Sequence, residues 1–543
     1  MGRASRVRAV TLVAGVLLLG AAPVTSASTD PVVTLAAVVN AGGAAMTTAL
    51  TCPQAGSCVA AGFYTDAAGQ HQAYVAEQVT GNWGEVKRLA TILNLGGDAA
   101  ATSVSCVDAG DCVVVGFYTD AAGQHQAFLV QESSGVWGST QSIADPLNAG
   151  GDAVATTVSC ASADSCVVGG RYRDAAGKQR AFAVLDSAGT WGEATQIGAV
   201  VNSGGNATVS ASSCPAADTC VVAGSATAAG TTSAFVDAER NGLWSKPVVL
   251  VPGGVATSSA ITDLTCSAVG TCAAVGTATM TAGRRAIALL EQQGTWGTVE
   301  AIAAPVSNEP TSADAVACAN ARACTVLATA TAATGAMTPF VVTEVVGHWA
   351  PGRPITPVAG PRGVAVASAT GSALTCPAVG ACVVAGELSL STGGPVAFTA
   401  AEQSGVWGRA ALVAQADNTG HDAAALALAC APGGSCLVGG RYTDASRHFQ
   451  SFVAPVAAYQ PVLVLRTVRG TVPAHGATTI VILGSGFYGT PHVRVVGMAI
   501  RVMAVSPQRL VVRIVRSNLA AGRHPLTVTD PDGSTGTSSI VQR

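Results

Sequence analysis

Sixteen cysteines stand in eight pairs, each spaced Cys-x5-Cys, and the pairs return along the chain about every 54 residues. They are Cys52/Cys58, Cys106/Cys112, Cys160/Cys166, Cys214/Cys220, Cys266/Cys272, Cys318/Cys324, Cys376/Cys382 and Cys430/Cys436. The steps between first cysteines are 54, 54, 54, 52, 52, 58 and 54 residues, and no cysteine is left over. A long fixed period means one supersecondary unit copied in series, so the fold must be read from that unit.

The redox setting follows from the first residues. Arg3, Arg6 and Arg8 form a basic leader, Ala9 to Ala22 is mostly apolar, and small residues surround Thr25-Ser26-Ala27. This pattern predicts a signal peptide over 1–27. Its apolar run is short for a membrane span, and no later stretch reaches the ~18 apolar residues of one. The expectation is a secreted, extracellular chain, surface-associated in some settings, with no transmembrane segment after cleavage. In an oxidising compartment, evenly counted cysteines at fixed spacing read as a disulfide framework. A zinc site would need four ligands, and no histidine recurs beside the pairs. No metal and no cofactor are expected. The pairs read as staples of short loops, each worth about 2 kcal/mol through the unfolded state.

Charged residues are 11% of the chain and aromatics 4%, so the core must be built largely from Ala, Val and Gly, which suits thin, closely stacked sheets. Charge is unevenly placed. From Tyr459 to Arg543 there are nine arginines and two aspartates, a net +7, while 28–458 carries 16 basic and 29 acidic residues, a net −13. An acidic body is followed by a basic tail domain.

One unit reads as four strands: Thr102 to Cys106, Cys112 to Tyr118, Gln126 to Gln131 and Trp137 to Ile143. The runs are β-branched, of strand length, and bounded by Gly- and Asp-bearing turns. Four strands in ~50 residues is the content of a propeller blade. Immunoglobulin-like domains would need about 100 residues per unit. The Gly-x-Trp strand occurs seven times, at Trp83, Trp137, Trp191, Trp244, Trp296, Trp349 and Trp407, against eight cysteine pairs. The eighth unit stops after Gln450-Ser-Phe-Val453, and an orphan segment, Val32 to Val39, precedes the first pair. The fold class expected is therefore all-β: an eight-bladed β-propeller over 28–458, closed by strand sharing between its termini. Closure removes both exposed sheet edges.

Strand alternation puts the cysteine loops and Gly-x-Trp corners on one face. The opposite face carries Tyr-x-Asp turns at Tyr64/Asp66, Tyr118/Asp120, Tyr172/Asp174 and Tyr442/Asp444, in units 1, 2, 3 and 8. Nearby loops add Asp98, Asp152 and Asp422. Tyrosine rings that stack and carboxylates that accept hydrogen bonds suit a glycan or protein ligand. The competing reading is that Tyr-x-Asp shapes the turn, the aspartate accepting local backbone bonds. Calcium at Asp98, Asp152 and Asp422 would be poorly caged by single carboxylates from separate units.

Catalytic signals are thin. His71, His125, His421 and His448 fall in loops of this face and read as surface residues; no Gly-x-Ser-x-Gly elbow or His-Glu-x-x-His helix occurs. The function expected is extracellular recognition without catalysis. The alternative is a carbohydrate-active hydrolase or lyase using two carboxylates across the channel.

Two resemblances add to this. Ser134-Gly-Val-Trp137 and Ser187-Ala-Gly-Thr-Trp191 resemble the aspartate-box hairpin, Ser-x-Asp-x-Gly-x-x-Trp, of sialidase-type propellers. Here the Gly-to-Trp gap is one residue shorter and the Ser-x-Asp arm is missing, so the likeness covers the corner and does not carry sialidase activity. The segment 459–543 resembles the IPT/TIG family of immunoglobulin-like domains. The matching residues are Thr478-Thr-Ile-Val-Ile-Leu-Gly-Ser-Gly-Phe487, Ser506-Pro-Gln-Arg-Leu-Val-Val512, Ala521-Gly-Arg-His-Pro-Leu-Thr-Val528 and Asp530-Pro-Asp-Gly533. That resemblance implies a β-sandwich. In an exported chain no nucleic-acid partner is expected; the nine arginines could attract an anionic wall polymer or membrane surface, but scattered solvated arginines with no such role are the favoured reading.

Overall fold

The computed structural model describes residues 32–542, apart from 203, 251–255, 282, 307–308, 346, 357–363, 433, 457–463, 471, 474–476, 486–490, 507–508, 518–519 and 530–534. The expected signal peptide and the 458/459 domain boundary lie outside the described residues. The described chain is all-β, with one 3-10 turn at Ala199–Val201.

Each cysteine pair seeds one antiparallel sheet. Unit 2 shows the pattern: an inner strand Ala99–Asp108, a second strand Asp111–Thr119, a third strand His125–Ser133, and an outer edge. All eight Cys-x5-Cys pairs are disulfides, each joining the inner strand to the second strand of its own unit. Besides closing the short turns, the bridges take part in the core. In seven units the second cysteine belongs to the core: Cys58, Cys112, Cys166, Cys220, Cys272, Cys324 and Cys382 are each at most 3% exposed. Cys436 of unit 8 is half-buried. Cys166 packs in the layer between units 2 and 3, Cys220 between 3 and 4, Cys272 between 4 and 5, and Cys324 between 5 and 6. The cause is strand alternation, which turns this position toward the neighbouring sheet, where a bridged sulfur packs as a small apolar group.

The predicted single outer strand is broken. Val136–Trp137 pairs with Glu132 and Ser133, and Gln141–Ser142 pairs with Phe128 and Leu129. Between them the chain steps out, although the Gly138 N–H still reaches the Gln131 carbonyl at 2.8 Å.

Unit 8 has Ala423–Cys430, Cys436–Thr443 and Phe449–Pro455, and its fourth strand comes from the other end of the chain. Val33 pairs with Val453, and Thr34 with Phe452, in the register of Gln141–Ser142 in unit 2. The pairing is shorter than the expected 32–39. After Thr34 the chain turns, the Asn40 N–H returning to the Ala36 carbonyl at 2.9 Å.

The core lies between sheets rather than within them. Val59, Ala61 and Val75 of unit 1 pack on Ala99, Val114 and Phe128 of unit 2. The same layering recurs onward to units 7 and 8. Cys52 and Cys58 of unit 1 pack in turn on Ala429 and Ala431 of unit 8. Such thin Ala/Val layers need one large filler per sheet, and a buried third-strand side chain supplies it: Tyr74, Phe128, Phe182, Phe235, Phe340, Phe398 and Phe452 in seven units, and Ile287 in unit 5. Each tryptophan reaches back one unit; Trp191 Nε1 donates to Gln131 Oε1 at 3.0 Å.

Two backbone devices hold the inner strands together. Every inner strand bulges at one equivalent position, and at the bulge of unit 2 the Thr102 hydroxyl bridges the Val115 carbonyl (3.2 Å) and the Ala155 carbonyl of unit 3 (2.6 Å). Thr48, Thr156, Ser210, Thr262 and Ser372 repeat this clamp. Opposite the bulge the second strand runs so close that a Cβ on Gly116 would stand 2.0 Å from the Ala100 oxygen. Glycine is required there by approach, not by dihedral angle.

Residues Val464–Arg469, Thr478–Ser485, Arg509–Ser517 and Met498–Ser506 form a four-stranded sheet in that order. His492–Arg494, Gly522–Thr529 and Thr535–Gln542 form a three-stranded one. Ile480, Ile482, Leu510, Val512 and Ile514 of the first pack on Leu526, Val528 and Ile540 of the second.

Candidate functional site

The Tyr-x-Asp turns are rigid, and their aspartates make them so. Asp66 Oδ1 accepts the N–H groups of Ala68 (2.9 Å) and Gln70 (3.0 Å), while Oδ2 accepts the Gln72 amide at 2.7 Å. Asp120 does the same with Ala122, Gln124 and Gln126, and Asp444 with Ser446, His448 and Gln450. In unit 3, Asp174 binds the N–H groups of Ala176 and Lys178, and Arg180 Nε takes the place of the glutamine at 2.8 Å. Partial burial works against ionisation of Asp66, but the Gln70 N–H, the Gln72 amide, the Ala68 N–H and the Arg88 charge outweigh it and hold its carboxyl below the usual range. The glutamines pass the lock to the next loop: Asn94 Nδ2 donates to Gln72 Oε1 at 3.0 Å and to the His71 carbonyl at 3.1 Å. Asn148 and Asn40 repeat it at their own junctions. The Asn-x-Gly-Gly motif is therefore the joint between successive units.

The four tyrosines do not present ring faces, which corrects the stacking role expected of them. Tyr64, Tyr118, Tyr172 and Tyr442 are 6%, 5%, 3% and 7% exposed. The Tyr442 hydroxyl is engaged with Thr34 Oγ1 at 2.7 Å. Burial raises the ionisation of all four phenols above the ordinary value.

What this framework displays is a row of polar, ionisable side chains. His71 and His125 begin the third strands of units 1 and 2, and each is bridged in parallel to the loop residue entering the next unit, Asp98 or Asp152. His71 Nδ1 stands 2.9 Å from Asp98 Oδ1, and Asp98 Oδ2 stands 3.7 Å from His125 Nε2. His125 Nδ1 is 3.8 Å from Asp152 Oδ1, and Asp152 Oδ2 is 3.1 Å from Arg173 Nη2. Phe63 and Phe117 lie beneath the imidazoles at 4.8 Å between ring centres, fixing their tilt. The row is reachable: its side chains are between 28% and 44% exposed.

Asp98 and Asp152 are thus brought together, while Asp422 is not. It pairs with Arg441 at 3.4 Å, and Arg441 lies over the Phe449 ring at 4.4 Å. Ala44 occupies the corresponding place between units 8 and 1, so the row breaks there. Among the described residues no group of three or more His, Cys, Asp or Glu is arranged to hold a metal ion. The row offers donors and acceptors at fixed spacing.

Sequence reasoning passed over Arg173 and Arg441, and also a second set of acids on the disulfide face. Glu132, Asp186, Glu239, Glu291, Glu344 and Glu402 stand three residues before the glycine and five before the tryptophan of each corner from unit 2 to unit 7. Gln78 takes the place in unit 1. Glu239 and Glu344 accept the N–H of that glycine. Glu132 is 2% exposed, and burial with the nearby Glu77 pushes its carboxyl up to about 7. On this face a cavity of about 260 Å³ opens between units 6 and 7, lined by Thr325, Val341, Arg353, Val379 and Glu402.

No known protein family and no curated protein matches the sequence. Among solved structures, the chain is loosely similar to a PL25 ulvan lyase bound to -[GlcA(1-4)Rha3S]- (11% identity, TM-score 0.41, 69% of this chain and 96% of that one). It is similar in the same degree to the BP39L lectin of Burkholderia pseudomallei (14% identity, TM-score 0.39, 68% and 99%). A third is the Hadza microbial sialidase Hz136 (12% identity, TM-score 0.32, 72% and 73%). At such scores the likeness fixes neither ligand nor activity.

Proposed function

We propose that this chain is an exported, closed eight-bladed β-propeller (28–458) followed by an IPT/TIG-like sandwich (459–543), and that it binds carbohydrate without turning it over. The reading rests on the row His71–Asp98–His125–Asp152–Arg173, which spans three successive units at hydrogen-bonding or ion-pair spacing and stands open to solvent. Carboxylates that accept and imidazole or guanidinium groups that donate suit the vicinal hydroxyls of a sugar chain. The Asp66, Asp120, Asp174 and Asp444 turns support the row rather than touch the ligand, and Asp422 with Arg441 forms a separate contact on unit 8. Closure is supported by the pairing of Val33 and Thr34 with unit 8.

The test is a glycan array probed with the mature chain, alongside Asp98→Asn/Asp152→Asn. Retention of wild-type glycans with no released product, lost in the variant at unchanged melting temperature, is the expected result. Undiminished retention by the variant moves the site elsewhere. Release of shortened or unsaturated sugars establishes catalysis instead.

A further inference from the structure

On the disulfide face, the notch between successive units is packed shut at one junction and open at another, and the sequence shows what opens it. Between units 3 and 4 the Ser165 hydroxyl accepts the Asp218 N–H at 2.9 Å, and Leu185 lines a remnant of only about 10 Å³. Counted from the cysteines and corner glycines, the same places between units 6 and 7 hold Ala323, Gly380 and Thr343. Each is smaller than its counterpart, and Thr325 stands where unit 3 has Val167. The cavity there is about 260 Å³. The exchanges also replace apolar wall with two hydroxyls, for Thr325 and Thr343 lie directly across from each other on paired strands, about 5 Å apart.

We propose that this cavity binds a small zwitterion, a free α-amino acid with an aliphatic side chain. Opposite charges stand on its two sides, Arg353 from unit 6 and Glu402 from unit 7. Glu402 Oε2 accepts the Cys382 N–H at 3.2 Å, which leaves Oε1 for a ligand ammonium. Burial raises the Glu402 carboxyl above its ordinary value, and the Cys382 N–H and the Arg353 charge pull it back only in part. An arriving ammonium supplies the counter-charge that a part-buried carboxylate needs, while the guanidinium fork takes the carboxylate of the same molecule. Val341, which is 1% exposed, forms apolar wall with Val345 and Val379 and suits an alkyl side chain. A space below the ~300 Å³ of the smallest drug-sized pockets holds one residue, not a chain. Opposed fixed charges select a molecule carrying both signs over a neutral sugar of the same size. This site is independent of the row on units 1 to 3.

The experiment is isothermal titration calorimetry of the full mature chain with L- and D-leucine, with isocaproate and isoamylamine, which each keep one of the two charges, and with glucose. The expected result is binding of at least one leucine enantiomer, binding of both single-charge analogues weaker by about 10-fold or more, and none of glucose. Glu402→Gln should lower leucine affinity about 10- to 100-fold, as expected for the loss of a charged hydrogen bond. Ala323→Ser, Thr325→Val, Thr343→Leu and Gly380→Asp together rebuild the closed junction and should abolish leucine binding at an unchanged or higher melting temperature. The backbone accepts the last change, since Asp218 holds φ 50° where Gly380 holds 70°. Glu402→Gln, which keeps the shape of the site, covers the case of a poorly folded filled variant. Binding of neither leucine, equal binding of the single-charge analogues, preference for glucose, or undiminished binding by the filled variant overturns the proposal.

Discussion

Glu132 sets up a pH dependence whose sign can be worked out. Its folded carboxyl titrates near 7, against an ordinary 4.5, because it is buried and because Glu77 stands close. Between those values the folded state holds a proton that the unfolded state has released. The contribution is therefore fully present below about 4.5 and is lost as the pH rises through about 7. The displacement corresponds to about 3 kcal/mol, most of it appearing between about pH 5 and 8. Glu132→Gln removes the titration and keeps the shape, and Gln78 already fills the same place in unit 1. Hydrogen exchange at the amides of Cys112 to Val115, which lie on the strand paired with Glu132, reads the opening energy locally. In the native chain protection should fall by about 2–3 kcal/mol from pH 5 to 8, after correction for intrinsic exchange. In the variant that part of the slope should vanish, leaving it the more protected protein at pH 8. Glu77→Gln should remove a smaller part. Parallel pH profiles for native chain and Glu132→Gln would refute the argument.

Gly116→Ala should destabilise unit 2 by about 1–3 kcal/mol, since its methyl meets the Ala100 carbonyl at 2.0 Å; reduced urea resistance at constant disulfide content checks it. Ala328 fills the same position in unit 6, where Asp314 replaces the bulge hydroxyl, so the reverse change there should be much milder. Thr102→Val leaves the Val115 and Ala155 carbonyls without the clamp hydroxyl and should cost about 1 kcal/mol, read by the same denaturation.

The cysteine spacing exposed the repeat because a disulfide across a hairpin ties two strands at one fixed offset, so the period survives wherever loop lengths drift. Spacing is silent on which way a sulfur faces, and the burial of Cys166 or Cys324 emerges only once neighbouring sheets are stacked. The wrong reading of the tyrosines has a physical cause. The stretch Val113 to Tyr118 is apolar on both sides of its sheet, so alternation does not say which residue looks outward. Phe117 emerges half-buried and Tyr118 is covered. The row was illegible for a different reason: His71 and Asp98 are 27 residues apart, and they meet through an isolated parallel bridge between one unit and the loop of the next. The outer-strand break at Gly138 carries no marker that distinguishes it from the turn glycines around it. The acids three residues before each corner glycine were in plain view, recurring with the tryptophans, but a lone glutamate in a strand reads as solvent-facing until its burial is known.

The two residues that complete sheet eight also set the order of assembly. Thr34 Oγ1 bonds the Tyr442 hydroxyl across 408 residues, and the Ala36 N–H bonds Ser451 across 415. A chain synthesised from its amino end presents this clasp first and can fasten it only once the strand holding Phe452 and Val453 exists. Until then the third strand of the eighth lacks its partner at Phe452 and Val453, and the same gap on a neighbouring copy is an open invitation to exchange ends. Loop-closure entropy grows slowly with length, so the delay falls on the rate of maturation far more than on the finished molecule's stability.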